Sequence, residues 1–348
     1  MIMVGAMAAV IWGIGVAMGT PRNARWIMIG ILLVAVIALQ LVLPDGHPLR
    51  EATGGDARLW LLIVAFGGIV WAYRLLLGRL KARVVQPEAP VQKQGEFTAT
   101  ELDRYARHIV LREIGGPGQK ALKNAKVLVI GAGGLGSPAL QYLAAAGVGT
   151  IGVIDDDTVE NTNLQRQVIH RDEGIGTPKV TSAAEAIVAQ NPYTDVRAYE
   201  RRLTGDFAEE LFAEYDVILD GSDNFDTRYL VNETATKLEK PLIAAALTQW
   251  EGQISLYDPA NGGPCYACVF PTPADPSLVP SCAEAGVLGP LPGVVGSMMA
   301  AEAIKMITGA GEPLRARMMI YDALYADTRT IHTKANPDCA VCGGKGAA

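Results

Sequence analysis

Four cysteines stand in two pairs, Cys265-x-x-Cys268 and Cys339-x-x-Cys342. Two such pairs supply the four thiolates of a closed tetrahedral zinc site. Sulfur at every corner leaves no coordination position for water, so the Zn2+ expected here is structural and would clip the end of the chain onto its body. A redox-active C-x-x-C is the rival reading, and two pairs in one chain favour metal. The fifth cysteine, Cys282, lies in the proline-punctuated stretch Pro271–Pro290. A lone cysteine is more often a small buried hydrophobe. Such a loop is a poor place to bury one, and long loops often carry function. Nucleophile and bystander both stand.

A second constellation opens at Lys126. A short apolar run, Val127–Ile130, leads into Gly131-Ala-Gly133-Gly134-Leu-Gly136, and a second run, Thr150–Ile154, ends on Asp155. This is the order of a nucleotide-binding βαβ unit. Gly131 allows the tight turn, Gly133 lets backbone approach a phosphate, and Gly136 lets the helix pack on the strand. The helix start offers free N–H groups to an anion, and Asp155 can accept from both ribose hydroxyls. A dehydrogenase would need no more than this. Arg166 and Lys179 ask for something else, because positive charge over an α-phosphate helps pyrophosphate leave in a dry site. Their bland reading is a pair of solvated surface charges. Asp223 follows the run Asp216–Asp220 (DVILD). A carboxylate at a strand end could hold Mg2+ between phosphates. Its bland reading is a helix N-cap, with Asp226 as the rival for that role.

The elements that must position these residues follow from pattern. Thr100–Ile114 reads as a helix capped by Thr100. Thr177-Pro178 reads as a helix start, with Thr as cap and Pro in the first position, and the helix runs to about Gln190. Asp195–Arg201, Asp216–Asp220 and Pro241–Ala246 read as strands, and Asp226–Glu239 as a helix between the last two. Gly252–Tyr257 and Met318–Tyr321 suggest antiparallel additions, and Val294–Ile307 an amphipathic helix. Strands alternating with helices imply an α/β fold, a doubly wound and mostly parallel sheet with helices on both faces.

The first eighty residues differ. Met1–Thr20 and Trp26–Leu43 carry no charge, and Leu59–Tyr73 is again apolar. Four of the five tryptophans, Trp12, Trp26, Trp60 and Trp71, fall here, as anchoring at a membrane interface favours. A bilayer-crossing helix needs about 20 apolar residues, so about three transmembrane helices are expected over residues 1–80. The first run lacks the basic start of a signal peptide. Arg22 and Arg25 follow the first run, and Arg79, Lys81 and Arg83 follow the third. The positive-inside rule then places the C-terminal domain on the cytoplasmic side of a multi-pass inner-membrane anchor. Residues 81–97, with the polar and proline-containing Gln86–Gly95, read as a linker, and residues 98–348 as the catalytic domain. A formal net charge of −6 gives no basic field for nucleic acid.

From about Arg104 to Cys342 the chain resembles the MoeB/ThiF/HesA group, bacterial relatives of ubiquitin-activating enzymes. The matching pieces are Arg104-Tyr-Ala-Arg107, the glycine loop, Asp155, Asn163-Leu-Gln-Arg166-Gln, Pro178-Lys179-Val180, Ser222-Asp223-Asn224, both cysteine pairs and Cys282-Ala-Glu-Ala-Gly-Val. The resemblance implies a Rossmann-like fold of the ubiquitin-activating type. It implies adenylation of the C-terminal glycine of a small ubiquitin-like sulfur carrier with a Gly-Gly tail, using ATP and Mg2+, in molybdopterin or thiamine synthesis. It would have Gly134, Asp155, Asn163 and Asn224 hold the nucleotide, Arg166 and Lys179 bind phosphate, and Asp223 coordinate Mg2+. Arg107 would reach into a partner subunit's site, implying a homodimer, and Cys282 sits where some members carry a reacting cysteine. The membrane segment departs from the group. No rhodanese-like domain follows Cys342, so a separate sulfur donor is expected. Two other classes remain to be weighed. A nicotinamide-dependent oxidoreductase leaves Arg166, Asp223 and the cysteines idle. A non-catalytic membrane scaffold for a ubiquitin-like protein leaves the whole charged set idle.

Overall fold

Short apolar runs rich in Val and Ile make the frame of the C-terminal unit. The structure, a computed structural model, describes residues 2–83, 97–273, 285–343 and 345. It divides into two compact units, Met1–Val91 and Gln92–Ala348, and each is considered by itself. Cys282 and the linker stretch Gln86–Gly95 lie outside the described residues.

In the C-terminal unit one sheet of eight strands runs in the order β3-β2-β1-β4-β5-β6-β7-β8. The parallel strands are β1 (Lys126–Ile130), β2 (Thr150–Asp155), β3 (Asp195–Glu200), β4 (Val217–Asp220) and β5 (Leu242–Leu247). β6 (Glu251–Tyr257), β7 (Arg317–Asp322) and β8 (Asp327–His332) add on antiparallel. Successive residues of β1 point to opposite faces. Val127 and Val129 join the core formed with Leu140, Ile187 and Met299, while Leu128 and Ile130 join Phe212, Val231 and Ala235. The first set packs under α8 (Gly136–Ala146), α9 (Lys179–Gln190) and α13 (Pro290–Thr308), the second under α10 (Gly205–Ala213) and α11 (Phe225–Lys237). Both faces are therefore covered, as a parallel sheet requires. β1 lies between β2 and β4, so the strand order reverses there and opens a crevice at the carboxyl ends.

Several expected boundaries move. The helix read over Thr100–Ile114 is two short pieces, α5 (Ala99–Arg104) and α6 (Ala106–Ile109), interrupted at Tyr105. Thr98 rather than Thr100 caps it, in a reciprocal capping box with Glu101, which satisfies two orphan N–H groups at once. Among the described residues of the C-terminal unit three helices, the four-residue α12 (Tyr266–Val269) among them, and a strand are additional. Helix α7 (Gly115–Asn124, GGPGQKALKN) hides behind three glycines, and a Cβ at Gly118 would meet Ile114 Cγ2 at 2.9 Å. Helix α10 is the second, and β8 the strand. β8 is exposed along its whole length, so it carries no apolar alternation to signal it.

The N-terminal unit is helical: α1 (Ile2–Ala17), α2 (Arg22–Val42), α3 (Pro48–Ala52) and α4 (Ala57–Arg83), with α2 packed on both α1 and α4. Val4, Val36 and Trp60 form its small core. At one end Gln40 donates to the Thr53 hydroxyl (2.7 Å) and the Arg50 carbonyl (2.9 Å), and the Trp60 indole donates to the Thr53 carbonyl (3.0 Å). Most other large apolar side chains, such as Ile31, Val34, Leu62, Phe66 and Ile69, face outward. Two helices, Arg22–Val42 and the stretch Ala57–Arg74, are long and apolar enough to cross a membrane, whereas Met3–Ala17 is shorter. Two of the three expected spans thus meet the length requirement among the described residues.

Candidate nucleotide site and cysteine cluster

The crevice is built from three strand ends. After β1 the chain turns at Gly131, whose φ of +89° favours glycine. Gly131 N–H donates to the Ile154 carbonyl at 2.9 Å and Gly221 N–H to the Ile130 carbonyl at 3.0 Å, which ties the ends of β2 and β4 to that of β1. The four glycines of the loop do different work. A Cβ at Gly136 would lie 1.9 Å from the Gly131 carbonyl oxygen, and one at Gly134 would lie 3.0 Å from Pro292. These two permit close packing, so Gly134 is held by α13 and serves more than a ligand. At Gly133 the nearest atom to an added Cβ is Gln167 Nε2, at 3.7 Å. Gly133 lines open space.

Asp155 ends β2 beneath this loop. Its carboxylate accepts from the Ala132 N–H (2.7 Å) and the Asp157 N–H (2.9 Å). Burial pushes its pKa up, against the lowering effect of Lys179 and the two N–H donors. The segment after Asp155 pairs with the chain entering α9: Val159 N–H donates to Thr177 O, and Lys179 N–H to Asp157 O. That pairing swings Lys179 under the site. Its ammonium meets Asp157 Oδ2 at 2.6 Å, and the residue is only 5% exposed, so it is no solvated surface charge. Thr177 does not cap α9 as expected. Its hydroxyl turns back to the Gly174 carbonyl, Pro178 takes the cap position and Lys179 becomes the first helical residue.

Asn163 closes a short turn (Asn161–Asn163), and Arg166 leans on it, with Nη2 at 3.3 Å from Asn163 Oδ1 and Nη1 at 3.1 Å from Thr162 O. Asp223 and Asn224 are both exposed in the loop after β4. Neither Asp223 nor Asp226 caps the following helix. Asn224 does, its Oδ1 accepting from Thr227 N–H at 2.9 Å. Asp223 is thereby left without a structural partner among the described residues. Arg107 is exposed on α6 and makes no ion pair among the described residues.

Some residues that shape the site were missed in the sequence. Buried Arg228 donates to the carbonyls of Ser222 and Ala245 and faces Asp220, whose Oδ1 accepts from Ser222 N–H. It clamps the loop that carries Asp223. Its spacing from Asn224, one turn into the helix, was the available signal. His170 lies behind the glycine loop, with Nε2 2.9 Å from the Ala132 carbonyl and Nδ1 3.0 Å from the Ser182 hydroxyl. A lone histidine gave no signal. Two buried polar atoms here, Gln167 Oε1 and Ser222 Oγ, find no partner among the described residues, which suits a polar ligand in the crevice.

The four cysteines converge. Cys265 Sγ stands 3.7 Å from Cys268 Sγ and 3.6 Å from Cys339 Sγ, and Cys268 Sγ is 3.5 Å from Cys342 Sγ. A tetrahedron of Zn–S bonds of about 2.3 Å has edges of about 3.8 Å, so the donor set fits zinc in chemistry and size. Burial raises the Cys265 and Cys268 thiols. Burial also pushes on Cys339, but N–H groups of Cys342 and Val341 outweigh it and hold that thiol at about 7. Asn232 of α11 supports the cluster, accepting from Tyr266 N–H at 2.8 Å and donating towards Cys265 Sγ.

Known proteins resemble the chain over most of its C-terminal unit. The chain is 51% identical over 251 residues to the sulfur carrier protein adenylyltransferase of Thermus thermophilus, covering 71% of this chain and 93% of that protein. It is 48% identical over 248 residues to the SAMP-activating enzyme E1 of Haloferax volcanii, covering 71% and 91%. It is 44% identical over 258 residues to the mouse adenylyltransferase and sulfurtransferase MOCS3, spanning 74% of this chain and 56% of that longer protein. Among solved structures, Escherichia coli MccB with AMPCPP and MccA superposes with a TM-score of 0.63 at 26% identity, covering 71% of this chain and 75% of that one. The ThiF family model matches residues 105–341, and the chain belongs to the ThiF family.

Proposed function

We propose that this chain is an ATP-dependent adenylyltransferase that activates the C-terminal glycine carboxylate of a small ubiquitin-like sulfur carrier. One observation carries the reading: the glycine loop, Asp155, Lys179 and the Asp223 loop meet at the carboxyl ends of neighbouring strands, where ligands of open α/β sheets bind. A carboxylate oxygen of the carrier attacks the α-phosphorus. The bond to the bridging oxygen breaks, pyrophosphate leaves, and an acyl-adenylate remains. Asp155 accepts from the ribose hydroxyls. The Gly133 backbone admits the phosphates, and Arg166 and Lys179 oppose the charge that grows on the leaving group. Asp223, an exposed carboxylate with no partner among the described residues, would hold Mg2+, which would supply positive charge against the phosphates. Zn2+ on Cys265, Cys268, Cys339 and Cys342 is structural.

The finer assignments belong to the same reading. The carrier is the small subunit type used in molybdopterin synthesis, with a thiamine-pathway carrier as the alternative, and the sulfur donor is a separate protein. Arg107, exposed and without an ion pair among the described residues, completes the site of a second copy in a homodimer. The apolar helices of the N-terminal unit tether the enzyme to the cytoplasmic face of the inner membrane, since an aqueous surface rarely carries so much contiguous apolar area. Resistance to alkaline carbonate extraction tests that placement, and quantitative release into the soluble fraction would sink it. Exchange of labelled pyrophosphate into ATP, dependent on a Gly-Gly-tailed carrier, tests the reaction. Exchange should vanish in Asp223→Ala, and full exchange in that variant refutes the role given to Asp223.

A further inference from the structure

The Ala132 backbone is held at both of its polar groups, which belong to successive peptide units. Its N–H donates to Asp155 Oδ2 at 2.7 Å, and its carbonyl lies 2.9 Å from His170 Nε2. A carbonyl can only accept, so Nε2 carries the proton, and Nδ1 is left to accept from the Ser182 hydroxyl at 3.0 Å. His170 is itself fixed: it is 6% exposed, and its N–H bonds to the Gln167 carbonyl. The Ala132 carbonyl shares its planar trans peptide unit with the Gly133 N–H, so the two point in opposite directions. Drawing the carbonyl inward to His170 turns the Gly133 N–H outward. That N–H has no acceptor among the described residues, and the space beside Gly133 is open apart from Gln167.

We infer that His170 is a positioning residue that aims the Gly133 N–H at a phosphate of the bound nucleotide. The inference deepens the proposed function and rests on its reading of the glycine loop as a nucleotide cradle. Burial and the nearby Lys179 depress the His170 pKa, so the neutral Nε2–H form that the geometry requires is the resting one near pH 7.

Two near-isosteric variants separate the two nitrogens. His170→Gln puts an amide N–H where Nε2 stands and keeps the donation to Ala132. His170→Asn puts an amide where Nδ1 stands, reaches only Ser182, and leaves the Ala132 carbonyl unpaired. Affinities for ATP and for adenosine are measured on the full chain in detergent. His170→Asn should weaken ATP about tenfold, the scale of one charge-assisted hydrogen bond, with adenosine unchanged, and His170→Gln should restore ATP binding. Equal losses for adenosine and ATP, or equal behaviour of the two variants, overturn the inference. If the wild type itself fails to bind ATP, the nucleotide reading fails instead. A second measurement needs no variant. The chain has four histidines, and 15N-histidine spectra of the wild type should show one Nε2–H tautomer that shifts with ATP and not with adenosine. A resonance indifferent to ATP counts against the inference even if both variants fold poorly.

Discussion

The loop glycines make a quantitative prediction, because two of them differ by what an added methyl would strike. At Gly136 the Cβ would sit 1.9 Å from the Gly131 carbonyl oxygen and 2.9 Å from its carbon. Relief requires a shift of more than about 1 Å in a backbone already bound to Ile154 and adjoining Gly221. Overpacking against movable side chains costs about 1–3 kcal/mol, and a backbone obstacle belongs at or above the top of that range. In a domain of this size about 1 kcal/mol moves Tm by about 2–4 °C, so Gly136→Ala should lose about 6–12 °C or fail to fold. Gly133 is not among the positive-φ glycines, and its added Cβ would meet only Gln167 Nε2, at 3.7 Å. Gly133→Ala should therefore fold, and by restricting the unfolded chain it gains about 0.4–1 kcal/mol. The same methyl stands where a phosphate approaches, so ATP affinity should fall about tenfold, a loss of about 1.4 kcal/mol. Differential scanning calorimetry and titration calorimetry with ATP read the two effects separately. A Gly136→Ala protein melting with the wild type refutes the packing argument. Undiminished ATP affinity in Gly133→Ala refutes the cradle.

Other outcomes follow from the same geometry. The pKa of Asp155 is raised by burial, so ATP affinity should decline on acidification at a higher pH than an ordinary aspartate, near 3.9, would give; an affinity flat from pH 8 to 5 with a sharp fall only near 4 contradicts this. With the folded pKa above the unfolded one, Asp155 favours the apo fold at low pH and loses that contribution as pH rises through the folded value. His170, depressed by burial, acts in its own window, with stability falling as pH drops below about 6.5, so the titration must follow binding and not melting alone. Asn224→Ala removes the cap of α11 and should cost about 1 kcal/mol, or about 2–4 °C in thermal melts. Cys342→Ser should bind zinc more weakly by metal analysis and melt lower, and an unchanged metal content would remove Cys342 from the ligand set.

The parts of this fold legible in the sequence are those with a local cause. β1, β2, β4 and β5 are short apolar runs, and their pairing follows from alternation with helices. The cysteine spacing named the donors, because thiolates in that arrangement have few other uses. Helix α7 was not legible: its glycines argue against a helix, and it exists because Gly118 fits tightly beside Ile114 and Leu122 is fully buried, which only tertiary packing reveals. The caps were misjudged for a related reason. Thr177 and Asp226 have the chemistry to cap, yet strand-like pairing of Thr158 with Pro178 and the short loop after β4 hand the positions to Pro178 and Asn224. His170 acts on the Ala132 carbonyl, distant in sequence, so no spacing rule could expose it, and Arg228 offered only its place one turn after Asn224.

Polar groups left without partners bear on where the function lies. A well-resolved core satisfies its polar groups, and departures from that rule gather at functional sites. Unpaired buried atoms such as Gln119 Oε1 and Thr333 Oγ1 lie outside this crevice, but among the described residues it holds several departures together: Gln167 Oε1 and Ser222 Oγ lack partners, Gly133 N–H lacks an acceptor, and half-buried Asp155 has its pKa raised by desolvation. Each is a cost to the protein alone, and each is of a kind that a phosphorylated ribose can offset. Hydroxyls can donate to Asp155 and to an amide oxygen, while phosphate oxygens can accept from the loop N–H and from Ser222. The cysteine cluster sits on the other side of the same logic. Asn232 joins it to α11, and Arg228, one turn earlier on that helix, clamps the Ser222 carbonyl beside Asp223. A metal held by the four cysteines would therefore be connected, through one helix, to the loop that carries Asp223. Loss of zinc should loosen the Asp223 loop as well as the end of the chain.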